Sequence, residues 1–98
     1  MFALKDLSLS ILLDIYGKLL NEKQWRIFND YYNEDLSLSE ISDKESMTRQ
    51  AVHETLKRVE QMLYSFEDKL KLKQTISEFK QAAAEQDTQK LYELIEKL

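Results

Sequence analysis

The chain has 98 residues, 43% of them apolar and 33% charged, with one glycine, no proline and no cysteine. That apolar share supports a core and excludes wholesale disorder. Almost no residue suits a tight hairpin turn, so an all-β fold is excluded and an all-α fold follows. Without cysteine there are no disulfides and no thiolate metal sites, which fits a reducing cytoplasm. The net charge of −4 weighs against a broad basic surface for nucleic acid.

The apolar start is interrupted by Asp6 and Asp14 and lacks a small-residue cleavage site, so it reads as a core helix, neither a signal peptide nor a membrane span. Leu4, Leu7, Ile11, Leu12, Ile15, Tyr16, Leu19 and Leu20 recur at helical spacing and predict one amphipathic helix with Gly17 inside it. Gly17 is expected where a neighbouring helix approaches closely. Asn21 with Gln24 forms a capping box, and Leu20 with Trp25 has the spacing of a hydrophobic staple. A second helix then carries Trp25, Phe28, Tyr31 and Tyr32 as a core stripe, and residues 33–35 form a loop.

The segment 36–58, LSLSEISDKESMTRQAVHETLKR, holds the densest information. Ser37 with Glu40 is a second capping box, flanked by the staple pair Leu36 and Ile41. Thr48 caps the next helix, and Met47 with Val52 repeats the staple. Two short helices joined by a tight turn make a helix-turn-helix. With Ala51, Val52, Thr55, Leu56 and Val59 turned inward, Thr48, Arg49, Gln50, His53, Glu54 and Lys57 remain outside. Arg49 and Gln50 suit guanine and adenine edges, Thr48 and the helix start suit a phosphate, and Lys57 and Arg58 suit the backbone further along. Thr48, Arg49, Gln50, His53, Lys57 and Arg58 are therefore the candidate DNA-binding residues. Lys44, Lys69, Lys71 and Lys73 would extend a local basic patch. An ordinary helical hairpin uses the same caps and stands as the rival reading.

Val52, Leu56, Val59, Leu63, Phe66 and Leu70 alternate steps of four and three, which predicts one helix from Arg49 to about Leu70. Its distal residues Leu63, Phe66 and Leu70 are candidates for a homodimer seam, with intramolecular packing as the alternative. Beyond Leu70 the phase slips to Leu72, Ile76, Phe79 and Ala83, and Asp87 caps a last helix with Leu91, Leu94, Ile95 and Leu98. Residues 1–70 thus form the helix-turn-helix domain and 71–98 a helical tail. His53 is the lone histidine, adjacent carboxylates diverge, and no phosphate-cradling loop exists. We expect no enzyme, metal or cofactor.

The runs DIYGKLLNEKQ (14–24), YYNEDLSLSEIS (31–42) and TRQAVHETLKRVEQML (48–63) resemble the YlxM family of small bacterial helix-turn-helix proteins. That family is similar in turn to the region-four DNA-binding domain of sigma factors. The resemblance covers about residues 12–70. It implies an all-helical, cytoplasmic, dimeric protein that acts on double-stranded DNA, with a link to a signal recognition particle component in protein targeting. Carried over residue by residue, 37–42 supplies the first motif helix and 48–57 the recognition helix. Glu45 departs from the pattern, standing where an apolar residue packs on the core. So does Ser46, standing where the turn favours glycine. A non-glycine residue in a left-handed turn costs about 1–2 kcal/mol. These departures keep open an alternative function, a protein-interaction adaptor that retains the fold without sequence-specific DNA binding.

Overall fold

A computed structural model describes residues 7–97. Among them are six α-helices, one 3-10 turn and no strands: α1 (Leu7–Tyr16), the 3-10 turn (Gly17–Leu19), α2 (Glu22–Tyr32), α3 (Leu38–Glu45), α4 (Arg49–Leu70), α5 (Leu72–Ala84) and α6 (Thr88–Glu96). The helix α4 is the spine, with α1, α2 and α3 packed along it, while α5 lies against α1 and α6. No helix among the described residues is long and apolar enough to cross a membrane.

The caps form as their local chemistry requires. Asn21 and Gln24 close a reciprocal box at the start of α2, and Ser37 and Glu40 do so at α3. The Thr48 hydroxyl accepts from the N–H of Ala51 at 3.0 Å, and Asp87 accepts from the N–H of Lys90 at 3.0 Å. The long helix from Arg49 to Leu70 forms without a break.

The first helix differs from its expectation. It ends at Tyr16, and Gly17 opens a tighter turn instead of lying inside the helix. Its buried face is Leu9, Leu12, Leu13 and Tyr16, whereas Leu7, Ile11 and Leu19 are exposed. Apolar residues fall on both sides of this helix, with only Ser8, Ser10 and Asp14 between them, so helical spacing alone could not select the inward face. Leu4 and Leu98 lie outside the described residues. Close approach at Gly17 does occur: a Cβ there would sit 2.8 Å from Cδ1 of Trp25. Trp25 itself is exposed on one side, while Phe28 and Tyr32 stack at 4.4 Å within the core.

The heptad seam is used within one chain. Val52, Leu56, Val59 and Leu63 are completely buried in the core shared with Phe28 and Ile41. Phe66 packs on the same core, its ring 5.9 Å from that of Tyr16. Of the residues assigned to a dimer seam, Leu63 is completely buried and Phe66 partly buried within their own chain, and Leu70 is exposed. The 3-4 spacing is the same for either partner, and here α1 packs along this stretch of α4.

With one glycine to spend, the chain makes its joints from other residues. Asp35, Ser46, Lys71 and Gln86 all have φ of 55–57°, one at each junction from α2 to α6. At α3 the Met47 N–H donates to the Ser42 carbonyl at 2.9 Å and the Ser46 N–H to that of Asp43 at 3.4 Å, a Schellman closure with Ser46 left-handed. Ser46→Gly is expected to stabilise the fold by about 1 kcal/mol, seen as a raised melting temperature. A lowered one would mean the serine contributes an interaction that outweighs its backbone strain.

The joint between α4 and α5 is built differently. Lys71 offers α5 no side-chain cap. Glu67 supplies it, accepting from the N–H groups of Lys73 at 2.9 Å and Gln74 at 3.2 Å. The Tyr16 hydroxyl donates to Glu67 at 2.6 Å and accepts from the Leu72 N–H at 3.1 Å. Burial and the bond to Glu67 push the Tyr16 hydroxyl up, so it remains a donor. Burial alone would raise the Glu67 carboxyl, but the bonds from Tyr16, Lys73 and Gln74 outweigh it and hold the group below its ordinary value. A depressed folded value means that the stabilisation is complete above the unfolded carboxyl value of 4.5 and fades as pH falls below it. Glu67→Gln should accordingly lower the melting temperature at neutral pH, with the gap to the unmodified protein closing on acidification. A gap that stays constant between about pH 3 and pH 7 would exclude this carboxylate as the acid-sensitive cap.

Candidate nucleic-acid interface

The helix-turn-helix is α3, the turn at Ser46 and Met47, and the first turns of α4. Two ion pairs fix α3 on α2. Arg26 donates through Nε and Nη2 to both oxygens of Glu45, at 2.7 and 2.8 Å. Lys44 Nζ lies 2.7 Å from Oδ2 of the buried Asp30. Glu45 thus fills its core-facing position by taking a bidentate partner, which holds its carboxyl below the usual range. Arg26 and Asp30 stand one turn apart on α2, and that spacing was the available hint of a polar stripe facing α3. Lys44, counted above in the basic patch, is committed to Asp30.

The pair has an asymmetry that can be measured. The Arg26 side chain is 41% exposed and that of Glu45 is 7% exposed. Arg26→Ala strands a buried carboxylate, whereas Glu45→Leu removes the buried charge and leaves the guanidinium to water. Arg26→Ala is expected to lower the melting temperature more than Glu45→Leu does. The reverse order would mean that the salt bridge itself, and not the stranded carboxylate, dominates.

On α4, Thr48, Arg49, Gln50, Lys57 and Arg58 are exposed and His53 is partly covered. Arg49, Gln50 and His53 meet Leu38 of α3 around a shallow depression of about 520 Å³. Leu38 was not anticipated as a lining residue; as the first residue of α3 it looks across the turn to α4. Lys57 continues the row one turn beyond His53. Arg58 stands about 100° further round the helix and does not share that row. The Gln50 amide donates to Glu54 at 3.2 Å, so Glu54 pairs back toward the helix start. The arrangement offers a short row of donors beside a capped helix N-terminus, on a helix whose opposite side is core.

The whole of this stretch matches a family model described as "UPF0122: Putative helix-turn-helix protein, YlxM / p13 like", over residues 3–98. The chain is 56% identical over 64 residues to a UPF0122 protein of Clostridium kluyveri, covering 65% of this chain and 58% of that one. Against a UPF0122 protein of Desulforamulus reducens it is 51% identical over 73 residues, covering 74% and 60%. Against one from Clostridium acetobutylicum it is 50% identical over 64 residues, covering 65% and 55%. The matched segment thus spans less than two thirds of the length of these curated relatives.

Proposed function

Because this chain belongs to the UPF0122 family of YlxM/p13-like helix-turn-helix proteins, we propose that it is a DNA-binding regulator, not an enzyme. In this reading the N-terminal turns of α4 enter the major groove of double-stranded DNA. The supporting observation is the row of exposed Arg49 and Gln50 with the half-buried His53, beside Leu38, on a helix that is also locked into the core. Thr48 and the start of α4 hold a phosphate, Arg49 and Gln50 read base edges, and Lys57 steadies the backbone further along the row, while Arg58, on another side of α4, falls outside this contact. Gln50 leaves Glu54 to read its base. A homodimer would place two such helices on paired half-sites, and the YlxM resemblance extends the reading to regulation of protein targeting by the signal recognition particle, in the cytoplasm.

The adaptor reading has its own support. Two cations beside the motif, Arg26 and Lys44, are neutralised by Glu45 and Asp30, and the chain carries a net charge of −4. Gel shifts on genomic fragments at low and moderate salt, run beside a pull-down, separate the two. Salt-dependent shifts of a subset of fragments support the regulator. Retention of a protein partner with no shift at any salt supports the adaptor.

A further inference from the structure

Leu38 stands where the inner stripe of α3 runs out of core. Positions 38, 41, 42 and 45 share one side of that helix at steps of three and four. Ile41 and Ser42 are buried, and the Glu45 carboxylate is held by Arg26. Leu38, at the outer end, is half-buried: it packs on the core and also lines the depression with Arg49, Gln50 and His53. It takes no part in starting its own helix. Ser37 and Glu40 close the capping box, and the staple spacing belongs to Leu36 and Ile41. Its neighbours Ser37, Ser39 and Glu40 are polar and exposed. One aliphatic side chain is thus set among groups suited to base edges: the Arg49 guanidinium, the Gln50 amide and the His53 ring.

We infer that Leu38 is the thymine-reading residue of this site, packing on the 5-methyl group of a thymine in the major groove. The inference rests on the proposed entry of α4 into that groove and adds the kind of base that is read. Chemistry selects the occupant. Major-groove base edges present hydrogen-bonding atoms, and the thymine methyl is the one apolar group among them. Across an A·T pair the edge runs from adenine N7 and N6 to thymine O4 and then the methyl group. A Gln50 amide on the adenine therefore leaves the methyl of that pair, or of the adjacent one, for Leu38. The charge also fits a duplex. The first turn of α4 carries Arg49 and no acidic residue, and the exposed Lys57 continues the row. Because the depression is shallow, a rigid duplex can reach Leu38 without the helices parting. Reading of an apolar group is then supplied by α3, and reading of polar edges by α4.

Deoxyuridine differs from thymidine only in lacking that methyl group, so the test alters the DNA and leaves the protein intact. A duplex enriched by the full chain from a random pool is resynthesised with uracil at one thymine at a time, and each affinity is measured at fixed salt. Replacement at the contacted thymine should weaken binding about fourfold, the worth of one buried methyl group. Leu38→Ala should bind the thymine and uracil duplexes equally, whereas Leu38→Met, which keeps an apolar side chain, should retain most of the difference. Should Leu38→Ala loosen α3, position decides. The sensitive thymine should lie within one base pair of the position at which Gln50→Ala relaxes the sequence preference, because both residues line one depression. Uracil tolerated at every thymine, discrimination that survives in Leu38→Ala, or a sensitive thymine remote from the Gln50 position would overturn the assignment while leaving base reading by Arg49 and Gln50 standing. A chain that enriches no duplex would overturn both.

Discussion

Leu63→Ala is expected to reduce the unfolding free energy by about 2–5 kcal/mol. Leu63, on α4, is completely buried in the core that includes Tyr16 and Phe28. Truncation there removes several methyl and methylene contacts and leaves a cavity the packed helices fill only in part. The loss should appear in urea melts as a lower midpoint with an unchanged slope. Leu70→Ala, at the exposed end of the same spacing, should stay within about 0.5 kcal/mol. The comparison matters because both residues fit a heptad seam equally well. If Leu63→Ala instead left stability intact and halved the mass in solution, the seam would lie between chains.

Arg49→Ala is expected to weaken binding to a preferred DNA sequence by about 1–3 kcal/mol, a factor of roughly ten to a hundred, and to relax the preference at the base it contacts. Lys57→Ala should weaken all sequences alike and reduce the salt slope by about one. The difference follows from position. Arg49 is the first residue of α4, at the rim of the depression with Gln50 and His53, while Lys57 lies two turns further along the row. Titrations at several salt concentrations with matched and scrambled duplexes separate the two behaviours. Equal, sequence-blind losses from both substitutions would remove base reading by Arg49.

What could be read from the chain and what could not divides by range. The capping boxes at Asn21 and Ser37 and the caps at Thr48 and Asp87 join residues three apart, so they are written in short strings. The left-handed turn at Ser46 was legible for the same reason, since a Schellman closure spans six residues. The inward face of α1 was not, because Leu7 and Ile11 are as apolar as Leu9 and Leu13. The partners of Glu45 and Lys44 lie 19 and 14 residues away, and Tyr16 meets Glu67 across 51. Such pairings exist only once α2, α3 and α4 have packed. Their consequence for the site is concrete: Glu45 and Lys44 anchor the first motif helix, and the recognition row is left to α4 with Leu38 of α3 at its edge. Arg58, next to Lys57 in the chain, falls on another side of the helix because adjacent residues diverge by about 100°.

Whether α4 reads DNA sequence can be measured by selecting binders to the full chain from a pool of random duplexes at low salt, with Arg49→Ala carried through in parallel. A sequence-reading α4 should enrich a shared sequence, arranged as half-sites about one helical turn or a multiple of it apart, and the variant should lose that enrichment. A pool that remains random after repeated rounds, or one enriched identically by Arg49→Ala, would contradict it.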